Sequence, residues 1–305
     1  MTLYAPEYYL DFACIADRCR HSCCVGWEID IDEATARHYA VLSAPYADAI
    51  RASIETAGGT PHFRLCEGER CPHLDEHGLC RIMLSLGEEH LCDICREHPR
   101  FYHTTRYGME VGLGMACEEA CRIVLSSDGY DRFIAVGEEQ GEAVQTEFDA
   151  TAHRAHIYAV LSDRTTPYAE RLTRIADAYG VSLTDRADAV WRELLASLEY
   201  LDEEHRTLFS YYSSDMTACA EDERLTERAL AHWVYRHLSD ARDADELCAG
   251  LGLALLLERL LTSLSVATEA RSSAEVVELA RVISEEIEYS EDNTETLRSV
   301  FASII

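Results

Sequence analysis

Eleven of the 13 cysteines in this chain lie within its first 121 residues: Cys14, Cys19, Cys23, Cys24, Cys66, Cys71, Cys80, Cys92, Cys95, Cys117 and Cys121. The other two, Cys219 and Cys248, stand alone in helical surroundings and read as ordinary buried residues. A disulfide framework needs an oxidising compartment and usually a small secreted domain. The N-terminal "MTLYAPEYYLDFAC" has no basic n-region and no apolar h-region, so a cytoplasmic protein is expected. An odd cysteine count also suits pairing poorly. Metal binding is the better account of thiols clustered in this way.

The spacing sharpens that account. Cys14 to Cys24 reads C-x4-C-x3-C-C, and Cys71 to Cys80 reads "CPHLDEHGLC". "CDIC" carries Cys92 and Cys95, and "CEEAC" carries Cys117 and Cys121. Such short separations let one loop present two thiolates to one ion. Zinc and iron–sulfur clusters both take four thiolates, so the spacing leaves the metal open. The C-x3-C-x2-C pattern of radical enzymes is absent. His21, His73, His77, His90, His98 and His103 lie close by in sequence; each is either a ligand or a polar loop residue.

In extended backbone, neighbouring side chains point to opposite faces. Adjacent Cys23 and Cys24 are therefore expected to serve two metal centres, one thiolate each, with a single cluster and spare thiols as the competing count. Gly26 would permit a turn that brings amides towards sulfur. Trp27 either shields the site from water or belongs to the core.

Taken together, "FACIADRCRHSCCVGW", "CPHLDEHGLCRI", "LGEEHLCDICREHPR" and "MACEEACRIVL" resemble the flagellin lysine-N-methylases, within the wider set of YkgJ-type cysteine-cluster proteins. The C-terminal "HWVYRHLSDARDADELCAGLGLALLLERLL" and "ISEEIEYSEDN" resemble the helical half of that family. The resemblance implies methyl transfer from S-adenosylmethionine to lysines of flagellin or another protein, with an iron–sulfur cluster of the 4Fe–4S type involved. It places the family's thiols on Cys14, Cys19, Cys23, Cys24, Cys71, Cys80, Cys95 and Cys117, which divide into two sets of four. Cys66, Cys92 and Cys121 rank second. Zinc is the alternative metal. The alternative function is a non-catalytic iron–sulfur or zinc module for electron transfer, sensing or scaffolding.

The formal charge of −29, from 56 acidic and 27 basic residues, argues against nucleic acid, because phosphate binding needs a basic surface. All the basic residues are arginine. An enzyme that methylates exposed lysines would find none on itself, although coding bias against Lys, Asn and Gln gives the same composition. The longest apolar run, Ala249–Leu257, meets Glu258 and Arg259 too soon to span a membrane. No membrane partner is expected.

The expected fold is mainly α. Residues 1–126 form a cysteine-cluster region of loops and short helices, packed on an α-helical domain over 127–305. A short extended piece and an Asp32- or Asp30-capped helix follow "GW", and "AGGTPHF" breaks that helix. A hairpin is expected around "RYG". Helices are expected near Thr184–Leu198, Glu203–Tyr212, Glu223–Leu238, Asp243–Leu264, Ser273–Tyr289 and Thr294–Ala302, with Leu247–Leu264 as the central helix of a bundle. Glu285, Glu288 and Asp292 share a helical face suited to a cationic lysine. Tyr289, Tyr8 and Tyr9 are weaker candidates for orienting an amine, and no general base stands out.

Overall fold

The computed structural model describes residues 1–141, 143–144, 146–216, 223–270 and 272–302; Cys219 lies outside them. The chain divides into two compact units. One is Ala13–Arg100; the other joins Met1–Phe12 to Phe101–Ile305. The 126/127 boundary read from the sequence falls inside the larger unit, at the end of the helix Glu118–Ser126.

In the smaller unit, a two-residue strand (Ile29–Asp30) leads to the helix Glu33–Val41. Asp32 caps that helix, its carboxylate accepting the Thr35 N–H at 2.8 Å. The helix stops ahead of Pro45, which has no N–H to continue it and disfavours helical backbone at Ala44. A second helix, Ala47–Ser53, follows. The "AGG" break is more than a loop. Ile54–Ala57 and Thr60–Phe63 form an antiparallel hairpin, and Ile29–Asp30 pairs with its second strand. Gly58 and Gly59 turn the hairpin at φ of +60° and +98°, backbone that glycine adopts freely. Ile29, Ile31, Tyr39, Ile50, Phe63, Ile82 and Leu91 form a small core in which Cys71 and Cys92 are also buried.

The larger unit carries a four-stranded sheet in the order Arg100–Thr105, Gly108–Leu113, Thr2–Pro6, Phe133–Glu138. The first two strands are the hairpin expected around "RYG". The strand Thr2–Pro6 runs parallel to Gly108–Leu113 and antiparallel to Phe133–Glu138.

Most of the other described residues of this unit are helical, and mainly α describes the chain. The 24-residue helix Ala244–Ala267 is central, packed against Glu223–Leu238, Ser273–Ile283 and Glu291–Ala302. By length and hydropathy it could cross a bilayer, yet its apolar sides are buried inside this unit. Two glycines permit the close packing. A Cβ at Gly250 would stand 2.2 Å from the His237 carbonyl oxygen, and one at Gly252 would stand 2.2 Å from the Phe301 ring. Buried arginines tie the elements together. Arg154 forks onto Glu110 at 2.6 and 2.7 Å, and Arg171 reaches Glu227 at 2.7 Å.

Candidate metal centre

Cys24, Cys71, Cys80, Cys92 and Cys95 gather on the core of the smaller unit and lie within electrostatic reach of one another. Three short pieces of chain bring them there. The first is a turn, closed by the Val25 N–H on the Ser22 carbonyl at 3.2 Å, with Cys23 and Cys24 at its centre. The Cys24 carbonyl then accepts the Cys71 N–H at 2.8 Å, fixing the second piece against the first. In that second piece Asp75 folds the loop, its carboxylate accepting the His77 and Leu79 amides at 2.8 and 2.9 Å. Cys80 closes it at the start of the helix Arg81–Leu86. Third, Cys92 precedes the helix Asp93–Glu97, which carries Cys95. The Asp93 amide donates to Asp32 at 3.0 Å, so one carboxylate serves two helix starts.

Burial and mutual contact set the thiol chemistry. Burial pushes Cys71 up to about 12 and raises Cys80. Cys24 is held at about 7, chiefly by a hydrogen bond from the Cys23 thiol. Cys92 and Cys95 form a second hydrogen-bonded pair; the bond lowers Cys92 and raises Cys95. A metal displaces such protons and binds the thiolates.

The Cys23–Cys24 geometry departs from the premise read in the sequence. The pair sits in a turn and not in extended backbone, and its two thiols touch. Alternation between opposite faces therefore does not separate them. Gly26 does need its positive φ of +96°. Its amide, however, donates to the Glu69 carbonyl at 3.1 Å, not to a sulfur.

The other thiols stand differently. Cys14 and Cys66 are exposed, and the Cys19 thiol donates to the His21 carbonyl at 3.1 Å. Cys117 and Cys121 belong to the larger unit, where Cys117 precedes the helix Glu118–Ser126. The Cys121 thiol is buried there and donates to the Val277 carbonyl at 3.3 Å. Cys92, ranked second from the sequence, is thus among the five that gather. Its signal was the "CDIC" spacing at a helix start.

The histidines are largely accounted for. Both ring nitrogens of buried His73 are engaged, Nδ1 with the Tyr46 hydroxyl and Nε2 with the Ser53 hydroxyl, each at 2.9 Å. His90 Nδ1 lies 2.9 Å from His38 Nε2. Trp27 meets His98 edge to face at 5.7 Å, and its Nε1 donates to the Cys23 carbonyl at 2.6 Å, setting the indole beside the thiol turn. His103 lies in the larger unit.

Five thiols in one small core fit a thiolate-bound metal, which takes four. Zinc with bonds of about 2.3 Å in tetrahedral geometry would draw its sulfurs to about 3.8 Å from one another. Among the described residues, the one group of three donor atoms all within 4.8 Å is His205, Glu285 and Glu286 in the larger unit.

That acidic group is already engaged. Glu286 accepts the Leu201 and Asp202 amides at 2.7 and 3.1 Å and faces His205 Nδ1 at 2.6 Å. Glu285 pairs with Arg281 at 2.9 Å. The acidic face expected of Glu285, Glu288 and Asp292 is interrupted by a turn of π-helix, Ser284–Glu288, which changes the periodicity. Glu288 is consequently turned inward. Arg236 Nε and His237 Nε2 lie 3.0 and 2.9 Å from its Oε1, while Trp233 Nε1 and the Ser284 hydroxyl donate to its Oε2. Asp292 remains exposed. Tyr8 is buried, with its phenol raised by desolvation.

With this geometry in view, the relatives are informative. The chain is 31% identical over 140 residues to a lysine-N-methylase of Salmonella choleraesuis, a stretch covering 41% of this chain and 33% of that protein. It is 29% identical over 136 residues to the lysine-N-methylase of Salmonella typhimurium. It is 28% identical over 166 residues to the flagellar biosynthetic protein FliU of Salmonella muenchen, covering 52% of this chain and 96% of that one. The chain is a distant relative of the lysine-N-methylases. It spans about a third of the length of the two it matches. No protein-family profile matches it, and no solved structure does.

Proposed function

We propose that this chain is a protein-lysine N-methyltransferase that takes its methyl group from S-adenosylmethionine and acts on flagellin or another lysine-bearing protein. The observation that carries the reading is the similarity to proteins named lysine-N-methylase, and the FliU relative's name supports a flagellar substrate. In this reading four of Cys24, Cys71, Cys80, Cys92 and Cys95 hold an iron–sulfur cluster. A bound cluster would supply an electron donor or acceptor whose potential follows its sulfur environment.

The chain's own residues have definable tasks. Cys71 and Cys92 are buried, so their donors are kept from water. Trp27, held by the Cys23 carbonyl, lies beside the thiol turn. Methylation requires a neutral lysine amine aimed at the methyl carbon with water excluded. Glu288 takes no part in holding it, because its carboxylate is committed to Arg236, Trp233 and Ser284.

The test is an anaerobic preparation with iron, inorganic sulfide and zinc counted per chain. It is followed by incubation with flagellin and isotope-labelled S-adenosylmethionine, and mass spectrometry of the lysines. Iron with matching sulfide, and label on lysine, are expected. One zinc without sulfide and no labelled lysine would refute the reading.

A further inference from the structure

The larger unit contains a pocket of about 230 Å³. Its walls come from the end of the strand Arg100–Thr105, the start of the helix Ala150–Leu161, and the loop Ser239–Arg242 that leads into the central helix. The residues that matter are Tyr102, His103, Arg106, Phe148, Asp240 and Arg242.

Their charges are unusual in two respects. First, in a chain of net charge −29 the lining holds two arginines and a single carboxylate. Second, two of these charges, on exposed Asp240 and Arg242, have no carboxylate or guanidinium partner among the described residues. Among the described residues the basic group within 4.0 Å of Asp240 is His103, at 3.9 Å, and burial holds that imidazole neutral at about 4. Among the described residues the Arg242 guanidinium has no ion-pair partner, and only its backbone amide is engaged, with Glu246. Asp240 and Arg242 do not pair with each other, although two positions apart. Arg106 leans 3.6 Å from Asp149 and supplies a second guanidinium. Behind them His103 is 8% exposed, and its Nε2 has no hydrogen-bond partner. A buried polar atom left so is costly unless a ligand or water completes it.

We infer that this pocket binds an α-amino-acid zwitterion, its carboxylate towards Arg242 and Arg106, its ammonium towards Asp240, and its side chain between Tyr102 and Phe148. A simple anion would meet Asp240, and a simple cation would meet two arginines; a group carrying both charges satisfies both walls. The volume lies below the usual range of about 300–1,000 Å³ for whole drug-sized ligands and suits an amino-acid group. Such a group belongs either to a free amino acid or to the amino-acid end of a nucleoside-linked molecule. The second source would deepen the methyltransferase reading and rests on it; the first does not.

The experiment is isothermal titration calorimetry on the full chain. The probes are methionine, S-adenosylhomocysteine, adenosine, methioninol (no carboxylate) and 4-methylthiobutyrate (no amine). The variants are Asp240→Asn and Arg242→Gln, both at exposed positions, with circular dichroism to confirm folding. Methionine or S-adenosylhomocysteine is expected to bind. Loss of either charge, on ligand or protein, is expected to weaken binding at least about tenfold, as for a lost charge-assisted hydrogen bond. Binding of S-adenosylhomocysteine without methionine identifies the nucleoside-linked source. Failure of both to bind, or equal binding by the variants, overturns the inference. Flagellin methylation at full rate in the doubly substituted protein would overturn the nucleoside-linked source while leaving the methyltransferase reading intact. Binding of methionine in a chain that methylates nothing would sink that reading and leave the pocket.

Discussion

Two buried glutamates in the helical unit should respond to the same substitution very differently, and with opposite dependence on pH. Glu288 faces Arg236 at 3.0 Å, and its carboxyl is held well below the usual range by Arg236 and His237 against the penalty of burial. At that distance, with an effective dielectric of about 20, the attraction is about 5.5 kcal/mol. Relief of the carboxylate's own burial returns part of this. Glu288→Gln should therefore cost about 3 kcal/mol, at the low end for breaking a buried pair. For a unit of this size that is a fall of roughly 6–12 °C in Tm. Glu258 is different. It accepts the Tyr168 and Thr262 hydroxyls at 3.2 and 3.0 Å, and burial raises its pKa. Its contribution is full below the unfolded value of about 4.3 and is lost as pH rises through the folded one. Glu258→Gln should therefore stay within about 1 kcal/mol of the parent at neutral pH. Glu288 has the reverse sign: its stabilisation is present above about pH 4.3 and fades as pH falls towards its depressed folded value. Thermal unfolding followed by tryptophan fluorescence at pH 7 and pH 3.5 is the assay, with Trp233 as a local reporter because its Nε1 donates to Glu288. Equal losses in the two variants, or a Glu288→Gln loss independent of pH, would refute the reasoning.

Gly252→Ala should lower Tm by several degrees, because its Cβ would stand 2.2 Å from the Phe301 ring, which is itself stacked on Trp191; an unchanged calorimetric transition counts against it. Asp32→Ala removes the acceptor of both the Thr35 and Asp93 amides and should cost about 1–2 kcal/mol in chemical denaturation of the smaller unit. Metal content should fall by more than half in Cys24→Ser and Cys71→Ser and stay near the parent value in Cys66→Ser. Elemental analysis of the purified proteins decides this, and equal content in all three would show that the five gathered thiols are not the binding set.

Much of the helical part is legible in the sequence. Glu223–Leu238 is seen at the bounds read from its pattern, and the central helix begins within one residue of its expected start. Its apolar stretch is too long for a strand and is apolar on most sides, which marks a helix buried at the centre of a bundle. The sheets were less legible. Thr2–Pro6 and Phe133–Glu138 are short strands whose partners lie far away in sequence, so nothing local announces the pairing. The hairpin turned by Gly58–Gly59 did carry a local signal, two adjacent glycines between strand-length runs. At the site, spacing identified thiols as a class but not the five that gather. That selection depends on the Ser22–Val25 turn and on the Cys71 amide bonding to Cys24, contacts that spacing does not encode. The acidic face was misplaced for a related reason. A π-turn of five residues shifts the register within a helix whose sequence looks regular.

The sheet order carries a consequence for synthesis. Thr2–Pro6 is an interior strand, and its neighbours, Gly108–Leu113 and Phe133–Glu138, are translated more than a hundred residues after it. All of Ala13–Arg100 therefore leaves the ribosome before the first strand has either partner. The thiol-bearing segment has its own core and can close while the N-terminal strand still waits. Under the proposed metal-binding role, loading can precede completion of the larger unit, so a shortage of metal would be felt by the nascent protein before the pairing that unites its first residues with the rest.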